Sequence, residues 1–172
     1  MDFETEVKSI KVKRGEVLQG AGDISKKAFR VESGCLKSYV LDSSGKEHII
    51  QFAPENWLIS DMASFFNQEP SKIFIEAIED SSLQVFSHDA YSDLEKLNDR
   101  FILEMNHKLR NSLIASNKRL IALLCATAEQ RYIEFTQTYP MLVQRLPLKL
   151  IASYIGITPE YLSEIRRKLA GK

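Results

Sequence analysis

Glu160, Ser163, Glu164 and Arg167 fall on one side of a helix that starts after Thr158-Pro159, because residues three, four and seven apart share a face at about 100° per residue. Side chains of these types read hydrogen-bonding partners. A carboxylate such as Glu160 can accept from the exocyclic amine of cytosine, and a hydroxyl such as Ser163 can meet a base edge or a phosphate. Arg166, Arg167 and Lys168 beside them, and Lys149 one helix earlier, are the cations that a phosphate backbone attracts. Thr158 and Tyr161 complete the candidate DNA-binding set. Each has a plainer reading: Glu160 suits the positive end of a helix dipole, and the basic run suits a solvated helix end. Residues 145–172 carry six basic groups against two acidic ones, within a 172-residue chain of zero net charge. One basic end on a mildly acidic body suits a polyanionic partner.

Covalent chemistry is poorly supplied. His48, His88 and His107 lie far apart, and Cys35 and Cys125 form no CxxC. Neither a nucleophile–base pair, a phosphate-cradling glycine loop nor a two-Cys/two-His spacing is present, so no enzyme activity and no metal site are expected. Glu76, Glu79 and Asp80 read as a solvated hairpin. Without a secretory leader pattern or a run of about 18 apolar residues, a cytoplasmic location is expected.

The elements that must position the charged helix are legible around it. Pro147 suits the first residue of one helix, and Gly156 suits a left-handed helix end. Thr158 is a good N-cap, with Pro159 behind it. Ala152 and Gly156 are small where two helices must cross, and Leu162, Ile165 and Leu169 form one apolar stripe. Two short helices with such a turn make a helix-turn-helix.

Residues 7–86 read as strands. Apolar runs at Ile10/Val12, Val17/Leu18, Phe29/Val31, Cys35–Leu41, Ile49–Phe52, Ile73–Ala77 and Leu83–Phe86 recur between turn signals, the pattern of a barrel or jelly roll. From about Leu94 the period becomes helical, with no Gly or Pro between Asp99 and Cys125. Ile102, Asn106, Leu109, Leu113, Ser116, Leu120 and Leu123 are spaced 4, 3, 4, 3, 4, 3, the seam of a parallel dimer; a long helix packed on its own domain is the other reading. A helix over Ala128–Thr138, stopped by Tyr139-Pro140, links the two ends. The fold class is therefore α+β: an N-terminal β jelly roll, a long dimerisation helix and a C-terminal helix-turn-helix.

This layout resembles the Crp/Fnr (cyclic-nucleotide-sensor) family of bacterial transcription regulators over nearly the whole chain. The stretches 13–20 (Lys13-Arg14-Gly15-Glu16 onward) and 29–37 (Phe29 to Lys37) are similar to the family's strand-and-turn signature. Residues 146–160 are similar to its Bacteroidetes-type branch. The resemblance implies a sensor roll over 1–97, a dimerisation helix over 98–125 and a DNA-binding unit over 126–172 without the C-terminal β wing. It implies a homodimer on a two-fold symmetric operator in double-stranded DNA, with a small-molecule effector in the roll. The family's ribose and phosphate cassette aligns with Ser60, Asp61 and Met62 and with Ser71 and Lys72, while Ser116 and Asn117 fall where the long helix reaches the purine. Ser71 stands where the family has arginine, losing the bidentate fork, which points to an effector other than cyclic AMP. Glu164 departs from the related Glu-x-x-Ser-Arg pattern and implies a different half-site. A ligand-sensing or scaffold dimer that no longer reads DNA specifically is the alternative.

Overall fold

In the computed structural model, residues 8–92 and 99–171 are described. Eight strands lie among them: β1 (Lys8–Val12), β2 (Val17–Gln19), β3 (Lys27–Ser33), β4 (Leu36–Leu41), β5 (Glu47–Ala53), β6 (Leu58–Ile59), β7 (Phe74–Ala77) and β8 (Ser81–Ser87). They form two antiparallel four-stranded sheets in the orders β1-β8-β3-β6 and β2-β7-β4-β5, a jelly roll as expected. Alternation decides what faces inward. Phe29, Val31 and Leu83 of the first sheet meet Leu36, Ile75 and Ala77 of the second, all buried. Gly34 turns the chain from β3 into β4 at φ +93°, and a Cβ there would lie 2.2 Å from Ser81 Oγ and 2.8 Å from the Asp80 carbonyl. No other residue fits that position.

The seven expected strand runs are all present, and β6 is an addition, too short at two residues for a period to show. The helices are α1 (Met62–Asn67), α2 (His88–Ser92), α3 (Asp99–Cys125), α4 (Ala128–Thr138), α5 (Pro140–Arg145), α6 (Leu148–Ile155) and α7 (Pro159–Ala170). The expected onset near Leu94 lies outside the described residues. Tyr139-Pro140 ends α4 but also starts α5, because proline is well tolerated at a first helical position. Pro147 likewise caps α6 rather than opening it.

The long helix α3 has two faces. Met105, Ser112, Ala115, Arg119 and Ala122 are wholly or partly buried against the chain's own body. Leu103, Leu113, Leu120, Ile121 and Leu124 are 56–75% exposed. Of the expected seam, Ile102, Asn106, Leu113, Ser116, Leu120 and Leu123 are exposed and Leu109 is partly buried. Leu109 is half-buried against its own chain, and Leu123 lies against the turn after α6, where its Cδ2 is 3.3 Å from the position of a Cβ on Gly156. Leu103 and Leu124, one residue or about 100° further around the helix than Ile102 and Leu123, widen this open face.

The C-terminal helices do not stand apart from the roll. Tyr39, Ile49 and Phe52, on the outer face of the second sheet, share a core with Phe135, Leu142, Ile151, Leu162 and Ile165. β5 is the edge strand there, and its unpaired groups are covered by side chains rather than by another strand. The Ile49 amide donates to Ser153 Oγ (3.1 Å), which donates to the Glu47 carbonyl (2.9 Å). Arg119 donates to the carbonyls of Ile50 (2.5 Å) and Ile49 (2.7 Å). At the far side Arg145, the last residue of α5, grips Glu55 through two bonds of 3.0 and 2.9 Å and also meets Glu79.

Candidate nucleic-acid interface and neighbouring cavities

The turn between α6 and α7 is fixed locally. Gly156 closes α6 at φ +75°, the left-handed region, and the Ile157 amide returns to the Ala152 carbonyl at 3.0 Å. Thr158 Oγ1 accepts from the Tyr161 amide (3.3 Å), and Pro159 follows at the first helical position. Leu162 and Ile165 then bury against Ile151, Ala152 and Ile155. Those contacts leave Glu160, Ser163, Glu164 and Arg167 exposed on the opposite side of α7, with Tyr161 half-exposed beside them.

The charges are not all equally open. Arg166, Arg167 and Lys149 are exposed and have no ion-pair partner among the described residues. Lys168 is held by Glu129 of α4 at 2.9 Å, and that carboxylate raises its pKa. Ser163 Oγ donates to the Pro159 carbonyl (2.9 Å), so it faces outward as an acceptor. The acids sit in the first half of α7 and the open arginines in the second, the order that the helix dipole favours.

The expected cassette in the roll is assembled but turned inward. Asp61 caps α1, its Oδ1 accepting from the Ser64 amide (3.2 Å). Its Oδ2 accepts from Ser71 Oγ (2.8 Å) and the Lys72 amide (3.3 Å). Ser71 is buried and also accepts from the Ile73 amide, and Ser60 Oγ donates to the Lys27 carbonyl. Met62 is the first residue of α1. The Asp61 carboxylate thus takes up the Ser71 hydroxyl and the Lys72 amide of the stretch aligned with the phosphate cassette. Ser116 lines a cavity of about 190 Å³ with Gln51 and Ser112, away from this cassette, and Asn117 is exposed. Neither that cavity nor its larger neighbour takes in Ser60, Asp61, Met62, Ser71 or Lys72.

The larger cavity, about 330 Å³, opens where α3, α4 and α6 meet Trp57 of the roll. No sequence signal pointed to it, because its walls come from positions 57, 111–123, 131–139 and 154–155. Arg119 stacks over the Tyr154 ring at 4.1 Å and donates to the Tyr154 carbonyl (2.8 Å). Arg131 donates to the carbonyls of Ile155 (2.7 Å) and Ala126 (2.7 Å). The two guanidiniums therefore cap the last carbonyls of α6. Burial pulls the Arg119 pKa below its ordinary value and lifts those of Tyr139 and Tyr154.

Among the described residues no group of three or more His, Cys, Asp or Glu is placed to hold a metal. His48 bonds Asp42 and His107 meets Arg110, while burial pushes the Cys35 thiol up to about 12. No described helix is long and apolar enough to cross a membrane.

Residues 9–97 match the model of the cyclic nucleotide-binding domain. The chain belongs to that family. Among curated relatives of this cyclic nucleotide-binding domain protein are the anaerobic regulatory protein of Haemophilus influenzae, 28% identical over 170 residues, and the fumarate and nitrate reduction regulatory protein of Vibrio cholerae, 24% identical over 165. Each alignment covers 90% of this chain but 63% and 65% of the relative, so the chain spans a little under two thirds of their length. The fold is shared along almost the whole chain with FixK2 from Bradyrhizobium japonicum, at TM-score 0.80 and 18% identity, covering 96% of this chain and 85% of that one. A CRP/FNR-family transcriptional regulator from Thermus thermophilus has TM-score 0.70 and 17% identity over 95% of this chain and 86% of its own. The order of roll, long helix and terminal helix pair is that of the Crp/Fnr type.

Proposed function

We propose that this chain is a cytoplasmic transcription regulator that binds double-stranded DNA as a homodimer and performs no catalysis. One observation carries the reading. The turn at Gly156, the cap at Thr158 and the anchors Leu162 and Ile165 hold α7 so that its polar and cationic face is presented to solvent. Such a helix fits the major groove, with Glu160, Tyr161 and Ser163 near base edges. Lys149, Arg166 and Arg167 then lie against phosphates, which position the protein without reading sequence. Glu164 selects the half-site, and Lys168 joins the phosphate contacts if it leaves Glu129. The open leucines of α3, Leu103, Leu113, Leu120 and Leu124, bury against a second copy and set two α7 helices on successive half-sites. The effector is a molecule other than cyclic AMP, a reading supported by Ser71, which lacks the guanidinium fork a cyclic phosphate takes and whose hydroxyl already donates to Asp61.

Salt-dependent binding to mixed-sequence duplexes tests this reading. Wild-type protein is expected to bind with affinity falling steeply as salt rises, and Arg167→Gln to flatten that log–log slope by about one unit per lost phosphate contact. Equal slopes for wild type, Arg167→Gln and an Arg166/Arg167 double variant would favour the dimer that no longer reads DNA.

A further inference from the structure

The 330 Å³ cavity sits at the joint of the molecule, touched by the long helix, the first and third helices of the C-terminal unit and the roll's Trp57. Its size falls at the lower end of the roughly 300–1,000 Å³ range of small-molecule sites, room for a molecule of one or two rings. Its floor is aromatic: Trp57, Phe135, Tyr139 and Tyr154 form a continuous chain of rings with neighbouring centroids 5.4–6.3 Å apart. Offset and edge-on packing against such rings favours a flat, apolar guest.

The charges around that floor do not balance. Lys118, Arg119 and Arg131 line the cavity against one carboxylate, Glu134. Arg119 and Arg131 bond only backbone carbonyls, and Lys118 has no ion-pair partner among the described residues. The C-terminal end of α6 offsets about half a charge. That leaves an excess of positive charge, and the partial burial of Arg119 sharpens the demand for an anion. Ring floor and cationic wall together specify one guest.

We propose that this cavity is a binding site for a flat aromatic monocarboxylate, its ring on Trp57, Tyr139 and Tyr154 and its carboxylate toward Lys118 and Arg131. A guest there touches the long helix, the C-terminal helices and the roll at once, so its presence favours one arrangement of the joint. The site is separate from the cassette around Asp61. It does not rest on the DNA-binding reading, because the test below is read on the protein alone.

Trp57 is the chain's single tryptophan and lines the site, which makes it a built-in reporter. The purified chain is titrated with benzoate, trans-cinnamate and indole-3-carboxylate by calorimetry, with cinnamyl alcohol as the neutral counterpart and Trp57 emission followed for the two phenyl acids. Saturable binding by at least one acid is expected, at one site per chain, with the alcohol about tenfold weaker than cinnamate. Lys118→Gln, at an exposed position, is expected to erase most of that acid-over-alcohol preference. Ala122→Leu, which fills the cavity wall, is expected to abolish binding while circular dichroism stays unchanged. The proposal falls if none of the three acids binds saturably, if acid and alcohol bind alike, or if a folded Lys118→Gln retains the full preference.

Discussion

Replacing Arg119 by methionine tests the idea that one buried guanidinium fastens the long helix to both the roll and the C-terminal unit. Methionine keeps the length and apolar packing of the stem and removes only the fork. Three carbonyls lose a charged donor, those of Ile49, Ile50 and Tyr154. Ile50 is on the exposed side of β5, so water replaces its bond. Ile49 is buried and the Tyr154 carbonyl lies under α3, so each of these costs about 1–3 kcal/mol when left unsatisfied. Release of the guanidinium from its partly buried site returns some of that, leaving a net loss of about 2–3 kcal/mol. For a chain of this size that lowers Tm by about 5–10 °C. The assay is thermal and urea unfolding at one fixed protein concentration. Arg166→Met serves as control, since Arg166 is exposed on α7 and has no ion-pair partner among the described residues. If Arg119→Met and Arg166→Met unfold within about 0.5 kcal/mol of each other, the fork does not fasten the joint.

Three further outcomes follow from the same geometry. Gly156→Ala forces a side chain into the left-handed region against Leu123 and is expected to cost about 1–2 kcal/mol in urea unfolding, whereas Gly45→Ala, with open space around it, costs only the backbone part. Leu120→Glu with Leu124→Glu is expected to give a folded monomer by sedimentation, while the same pair of changes at Asn106 and Arg110 of the less apolar stretch weakens the dimer less. Arg145 holds the Glu55 carboxyl below its usual value, so this contact stabilises above the ordinary carboxylate pKa of about 4.3 and is lost as pH falls through the lower folded value. Arg145→Gln is therefore expected to lower Tm most at neutral pH, by an amount equivalent to about 1 kcal/mol given the partial exposure of all three side chains, with the gap closing below about pH 4.

What the sequence disclosed was what is decided locally. The helix-turn-helix is written in Ala152, Gly156, Thr158-Pro159, Leu162 and Ile165, all within one turn or two of the feature they create. The strands announce themselves through turn residues such as Gly34. Tyr139-Pro140 showed where α4 stops but not that α5 starts there, because proline marks a helix stop and a helix start with the same letter. The spacing along α3 was legible, but the helix carries two apolar arcs, and only the burial of Met105, Ala115 and Ala122 shows which one the chain's own body covers. Arg119 and the cavity were illegible because their partners lie 35 to 70 positions away along the chain. The bond from Ser71 to Asp61, the N-cap of α1, was not legible because it joins two loops ten positions apart.

The central claim is that two α7 helices read a two-fold symmetric duplex, and selection of bound DNA from a random pool at two salt concentrations tests it most directly. The account predicts enrichment of a symmetric site whose half-sites are about one helical turn apart, lost for the Arg166/Arg167 double variant. Recovery of no enriched site at either salt, by a protein whose sedimentation shows an intact dimer, would contradict it.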